Sequence, residues 1–166
     1  MVDSASAKSA EELLSHLRKC LGSLPAVPIK TLNKPSVVMT EWLLFRQLPK
    51  DMVVEDDCEL RSPEEDGGII RCRRHDLTVP EIKNHLDSGK LVTRLAVSWS
   101  DRIAFVLDEH LAIKRLRFLD VLREQAADID CNSEAERFDA DFSIMSLELS
   151  QFLPRLLDWF GGESTL

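Results

Sequence analysis

Residues 91–107 constrain the fold more tightly than any other stretch of the chain. Leu91, Leu95, Val97 and Trp99 share one side of an extended run, with Arg94 and Ser98 on the other. After Ser100 and Asp101 the alternation resumes at Ile103, Phe105 and Leu107. Side chains alternate between faces along a strand, so two such runs joined by two residues read as a β-hairpin with one buried face. That face needs a cover, and at 166 residues the chain is long enough to build one around a real core.

Helical periodicity on both sides of the hairpin supplies the cover. Ala10, Leu13, Leu14, Leu17 and Leu21 mark a helix over 6–21, with Ser9 and Glu12 fitting a capping box and Gly22 a C-terminal cap. Val27 and Ile29, interspersed with Pro25 and Pro28, predict a short strand or sheet edge, and Met1-Val2-Asp3 resembles the tail of a strand. Thr40 is placed to cap a short helix through Phe45. Residues 52–61 read as extended, and Asp66-Gly67-Gly68 as a turn before a strand over 69–75. Thr78 with Glu81 forms a second capping box, and Pro80 and Gly89 bracket a helix with Ile82 and Leu86 inward. Residues 111–118 extend the sheet ahead of a helix carrying Leu119, Leu122 and Ala126. Finally, Phe138, Phe142, Met145, Leu149, Phe152, Leu156 and Trp159 step alternately by four and three, a heptad seam on a long helix. Such a seam packs either on a partner subunit or on the chain's own core. Pro154 inside it predicts a kink or break near Leu153. The fold class expected is α+β: an antiparallel sheet over about 52–118 with flanking helices and a long C-terminal helix within 119–160.

Composition narrows the chemistry. No apolar run approaches the roughly 18 residues of a membrane span, and the N-terminus lacks a signal-peptide pattern. The cysteines at 20, 58, 72 and 131 form no Cys-x-x-Cys pair, which argues against a zinc ribbon or redox motif and for a reducing, cytoplasmic setting. Cys58 and Cys72 flank the hairpin expected over 52–75, where two such residues can face each other, and buried free thiols are the expectation. His16, His75, His85 and His110 show no metal-ligand spacing. No phosphate-binding loop and no Gly-x-Ser-x-Gly elbow occurs. Glu55, Asp56, Asp57 and Glu59 are adjacent acids on a strand, whose alternation points them to opposite faces, so they do not converge without a bend. His75-Asp76 has no nucleophile beside it. No catalytic set, metal or cofactor is expected.

The net charge is −8, but it is unevenly spread: residues 1–70 hold 8 basic and 12 acidic groups, residues 71–118 hold 10 and 6, and residues 119–166 hold 3 and 11. An acidic protein can still present a positive surface, because fields decay within about 8–10 Å at physiological salt. Arg71, Arg73 and His75 alternate onto one strand face with Arg74 on the other, and Lys90, Arg94, Lys114, Arg115 and Arg117 come from neighbouring elements. Arginines on strands meet phosphates with fixed geometry. No aromatic residues interleave with them, so base stacking is not implied and contact with the nucleic-acid backbone is.

Several strings resemble the RdgC family of recombination-associated DNA-binding proteins. They are LGSLPAVPI at 21–29, MTEWL at 39–43, CELRSPEEDGGIIRCRRHDL at 58–77, EIKNHLDSGKLVTRLAVSW at 81–99, KRLRFLD at 114–120 and RFDADF at 137–142. The resemblance runs from about Val2 to Gly162 and is to the family's C-terminal half, since the family's chains are about twice as long. It implies a homodimer closed into a ring around duplex DNA, bound without sequence specificity, no catalytic activity, and obstruction of RecA's access to DNA in the nucleoid. It places Arg71, Arg73, Arg74 and His75 in the family's basic strand-turn region. Lys90 and Arg94 fall at its Gly-Lys-x-x-Thr-Lys/Arg-Leu pattern, and Lys114, Arg115 and Arg117 at its Lys-Arg-Leu-Lys/Arg-Phe pattern. Arg74 and Lys90 are the first choices for DNA contact. The expected organisation is a helix-strand remnant of a central domain over 1–33, then an α+β domain over 34–166. The alternative function is a protein-interaction or dimerisation module with little DNA binding of its own.

Overall fold

The structure, a computed structural model, describes residues 1–4, 6–64, 67–127 and 129–164. Asp66 and the side chain of Ala126, both used in the sequence reading, lie outside the described part. The chain divides into two compact units, Met1–Lys30 and Thr31–Leu166.

The first unit is a single helix and the segment that follows it. Helix α1 spans Ala7–Leu21. Its cap is Ser6, whose Oγ accepts from the Ser9 amide at 3.2 Å, so the box expected at Ser9 and Glu12 sits one turn too late. Gly22 at φ 78° ends the helix, a left-handed conformation that glycine adopts without steric cost. Residues 23–30 form no strand. Instead Arg18 reaches back and donates Nε to the Leu24 carbonyl and Nη2 to the Ala26 carbonyl, at 3.1 and 2.8 Å. Residues 1–4 are likewise not in a strand.

The second unit is built on a five-stranded antiparallel sheet in the order β2-β1-β3-β4-β5. The strands are β1 Met52–Arg61, β2 Ile69–Cys72, β3 Leu91–Trp99, β4 Ile103–Asp108 and β5 Ile113–Phe118. The expected hairpin is β3–β4, with Leu95 opposite Leu107, Val97 opposite Phe105 and Trp99 opposite Ile103. Its two turn residues, Ser100 and Asp101, both have positive φ, the backbone that matches a two-residue connection to the twist of its strands. Strand β2 ends at Cys72, three residues short of the expectation.

One face of the sheet is covered by helices. Helix α2 (Pro35–Phe45) starts at a proline in its first turn, so Thr40 lies mid-helix and caps nothing. Its Oγ1 donates to the Ser36 carbonyl at 2.6 Å and accepts from the Val92 amide at 2.9 Å, pinning α2 to the start of β3. Helix α3 (Pro80–Asp87) starts at Pro80 after Val79 with no side-chain cap, so the Thr78–Glu81 box is not formed, while Ile82 and Leu86 are buried as expected. Helix α4 is Asp120–Ala127 and helix α5 is Glu134–Trp159. Ser133 caps α5, accepting from the Glu136 amide at 3.2 Å.

Helix α5 runs through Pro154 without ending there. Proline removes only its own amide from the ladder, and packing holds the remaining turns. Phe152 meets Trp99 and Phe105 at ring-centroid distances of 5.4 and 4.9 Å, and Trp42 meets Trp159 and Phe160 at 6.1 and 5.4 Å. Arg102, beside the hairpin turn, donates to both carboxylate oxygens of the buried Glu148 at 2.7 and 2.6 Å. Arg155 and Trp99 Nε1 share Asp51 Oδ2 at 3.0 Å. Past the helix, Gly161 stands at φ +84°, and a Cβ there would lie 2.7 Å from Asn33 Nδ2. The glycine lets the chain fold back so that the Asn33 amide bonds the Phe160 carbonyl.

The heptad seam therefore divides. Phe152, Leu156 and Trp159 are buried in the chain's own core, and Leu149 and Met145 are half-buried. Phe138 and Phe142 are 67% and 53% exposed and stack on each other at 6.1 Å. A continuous partner-facing stripe is thus not formed, because the sheet takes the C-terminal half of it. Phe152→Ala is expected to lose about 3–5 kcal/mol of unfolding free energy, while Phe142→Ala changes it by no more than about 0.5 kcal/mol. Urea unfolding of both variants checks this, and comparable losses would contradict the division.

Candidate nucleic-acid interface

The outer face of the sheet carries its charge in an ordered row. Arg71 on β2 stands opposite Glu59 on β1, Glu59 opposite Arg94 on β3, and Arg94 opposite Asp108 on β4. Opposite charges directly across strands attract, so this row stabilises the sheet while fixing its long side chains. Glu59 is its centre and is only 4% exposed. Its Oε2 accepts from Arg71 Nε at 2.8 Å and lies 3.5 Å from Arg94, its Oε1 lies 3.7 Å from Arg61, and Thr93 Oγ1 donates to Oε1 at 3.1 Å. Burial pushes this carboxyl up, but the bonds from Arg71 and Thr93 and the charges of Arg94 and Arg71 prevail and hold it below the usual range. At the far end Asp108 is held low in the same way: burial is outweighed by Lys114 at 2.9 Å and by the amides of Ala112 and His110.

Two breaks in strand regularity build the rest of the site. On β1, Val54 pairs with Val97 and Cys58 with Leu95, so residues 55–57 bulge out of the ladder. The bulge supplies the bend that the alternation argument required for convergence, and Glu55, Asp56 and Asp57 line one groove. On β5, Lys114 pairs with Val106 and Arg117 with Ala104, leaving one extra residue, and Arg115 takes φ 52°. This bulge turns Lys114, Arg115 and Arg117 toward solvent together while Ile113, Leu116 and Phe118 stay half-buried.

Asp57 ties the two bulged strands and the loop after β2 together. Its Oδ1 accepts from the Arg74 amide at 3.0 Å and its Oδ2 from Arg115 Nη1 at 3.2 Å. The His75 amide bonds the Asp56 carbonyl at 3.1 Å. Because β2 stops at Cys72, Arg73 and Arg74 sit on this docked loop and not on alternate strand faces, and Arg74 has φ 50°. Both arginines line a groove of about 960 Å³ with Arg115, Arg117, Ala96, Ala104 and Val106. A contiguous depression holds Arg71, Arg94 and Lys114.

Seven of the nine expected cations thus converge: Arg71, Arg73, Arg74, Arg94, Lys114, Arg115 and Arg117, against the four carboxylates Glu55, Asp56, Asp57 and Glu59. Lys90 and His75 do not line the groove; Lys90 Nζ bonds Ser88 Oγ at the α3–β3 turn, and His75 Nδ1 lies 2.9 Å from the Asp76 carbonyl. Of the seven, Arg71, Arg94, Lys114 and Arg115 are in ion pairs, and Arg73, Arg74 and Arg117 are in none among the described residues. Sequence reasoning missed the organising roles of Asp57 and Glu59. The β5 bulge had a signal, since the apolar residues Ile113, Leu116 and Phe118 step by three and then two. No group of three or more His, Cys, Asp or Glu able to hold a metal ion forms among the described residues, and no helix among them is long and apolar enough to cross a membrane.

A carboxyl whose folded value is depressed stabilises the fold above its unfolded value and loses that effect as pH falls through the folded one. Urea titrations at several pH values are therefore expected to find the native chain more stable than Glu59→Gln near neutrality. The gap should narrow below the ordinary carboxyl value of 4.5. A gap independent of pH would contradict the clamp.

Comparison with known proteins agrees with the resemblance. The family model described as "Putative exonuclease, RdgC" matches residues 1–163. The recombination-associated protein RdgC of Psychromonas ingrahamii is 52% identical over 165 residues, covering 99% of this chain and 55% of the relative. Its counterpart in Aeromonas hydrophila is 50% identical, covering 98% of this chain and 54% of the relative, and that of Pseudomonas aeruginosa strain PAO1 is 50% identical, covering 98% and 53%. The chain spans about half the length of these curated relatives. The match along 1–163 replaces the narrower expectation of a resemblance confined to the family's C-terminal half. The chain belongs to the RdgC family.

Proposed function

We propose that this chain contributes a sequence-nonspecific duplex-DNA contact to a recombination-associated protein, with the outer sheet face as the contact. The observation that carries the reading is the convergence of seven cationic side chains on one groove and the depression contiguous with it, three of them without a carboxylate partner among the described residues. Phosphate binding releases condensed counterions, and arginines held on strands and bulges have less freedom to lose when they meet phosphates. The paired arginines set the spacing and the unpaired ones, Arg73, Arg74 and Arg117, supply the free charge. Base edges are not read, so occupancy is indifferent to sequence. Coating duplex DNA in the nucleoid in this way limits RecA's access to it, and the chain acts by binding and not by cleavage.

The triple variant Arg73→Ala, Arg74→Ala, Arg117→Ala is expected to flatten the log–log salt dependence of duplex binding by about 2–3, at roughly 0.9 per phosphate contact. Lys90→Ala should leave the slope unchanged. Gel retardation over a salt series measures both, and the same duplex incubated with Mg²⁺ should keep its length. An unaltered slope in the triple variant, or shortened DNA, would overturn the reading.

A second reading, self-association into a homodimer, is favoured by the exposed Phe138–Phe142 stack. These rings border an apolar groove of about 500 Å³ with Phe118, Leu122 and Met145. Sedimentation at increasing concentration is expected to show a dimer that Phe138→Ser with Phe142→Ser dissociates. A monomer at all concentrations would remove this reading.

A further inference from the structure

Cys58 and Cys72 are direct partners across the β1–β2 ladder. Opposed residues in an antiparallel pair have Cα atoms roughly 4.5–5.5 Å apart, inside the range of about 4.4–6.8 Å that a disulfide spans. Both cysteines are free, and standing in one row with Leu95 they share the inner face of the sheet, Cys58 within the apolar core and Cys72 packed against it. Their surroundings differ in a way that assigns each a role. Cys58 is buried at 5% exposure, whereas Cys72 is partly open to solvent on the edge strand, so an oxidant reaches Cys72 first. Burial, and then the neighbouring Cys72 and Asp57, push the Cys58 thiol up, so Cys58 stays protonated and does not meet the oxidant first.

From this geometry we propose that Cys58 and Cys72 form a reversible oxidation site, with Cys72 the peroxide-sensing sulfur and Cys58 the resolving one. The oxidant is hydrogen peroxide. Cys72 sulfur attacks a peroxide oxygen, the S–O bond forms as the O–O bond breaks, and the departing oxygen takes up a proton as water, leaving a sulfenic acid. Cys58 then gives up its proton and attacks the Cys72 sulfur. The S–S bond forms, the S–O bond breaks, and a second water leaves. Two electrons pass from the thiols to the peroxide, and a dithiol reductant restores both thiols. A bridge at this position clamps the short edge strand β2 to β1, and with it Arg71, which is already bound to Glu59.

The test uses the full folded chain without DNA, so its result is independent of the proposed function. After treatment with hydrogen peroxide, free thiols are alkylated under denaturing conditions and the digest is read by mass spectrometry. The expected product is a Cys58–Cys72 linked peptide that dithiothreitol abolishes, with Cys20 and Cys131 recovered alkylated. In Cys58→Ser the intermediate cannot resolve, and dimedone should label Cys72 as sulfenic acid. Complete alkylation of Cys58 and Cys72 after peroxide, or a Cys58→Ser chain with no dimedone adduct at Cys72, would overturn the proposal.

Discussion

A sheet of five strands can satisfy only one of its faces with apolar packing in a unit of this size, and every charged feature of the outer face follows from that constraint. Leu95, Val97, Trp99, Ile103, Phe105 and Leu107 are buried with Phe152 and Trp159 of the long helix and with Trp42 of α2. The alternate positions are therefore committed to the other side. Two ion pairs, the largely buried Arg102–Glu148 and the more exposed Arg155–Asp51, fix the helix on the inner face. Apolar contact alone does not select one orientation of a helix over a sheet, whereas a bidentate pair restricts it closely.

On the outer face the same principle works with carboxylates at the centre. Glu59 is nearly inaccessible and ringed by three arginines. Such a buried anion is tolerated only with its partners in place, so the arginines are held as firmly as it is. The result is a surface with modest net positive charge but well-defined cation positions. Long-range attraction toward a polyanion is weakened by the acidic remainder of the chain, and binding then depends on contact geometry within about a Debye length. Asp57 extends the arrangement by docking the post-β2 loop, so Arg73 and Arg74 sit on a segment whose backbone is bonded on both sides.

How much of this was legible in the sequence depended on periodicity. The β3–β4 hairpin, α1, α3 and the long α5 all carry patterns that match one regular element, and each appears close to its expected place. Failures cluster where an element is irregular. The bulge at 55–57 supplies a bend that the sequence did not signal, and with it the acids meet in one groove, because strict alternation holds only inside an unbroken ladder. The bulge at Arg115 gathers three cations that alternation would have split. Capping boxes at Ser9 and Thr78 and the cap at Thr40 misled because an earlier serine or a first-turn proline already began the helix. Most of the heptad spacing was genuine, but spacing cannot say whether a stripe faces a sheet of the same chain, and Phe152 and Phe142 are indistinguishable by pattern. Lys90 was favoured by its place in the basic set and by a string resemblance, and three-dimensional placement sets it apart from the groove.

The most direct test of the central claim is residue-resolved mapping of the surface that meets duplex DNA. Amide spectra of the isotope-labelled chain, titrated with a random-sequence duplex at low salt, are predicted to shift at residues 55–57, 71–74, 94–96, 104–106 and 114–117. Added salt should reverse those shifts, and the amides of α5 should stay in place. Shifts concentrated on α4 and α5, or none at any ratio of DNA to protein, would contradict the assignment of the outer sheet face.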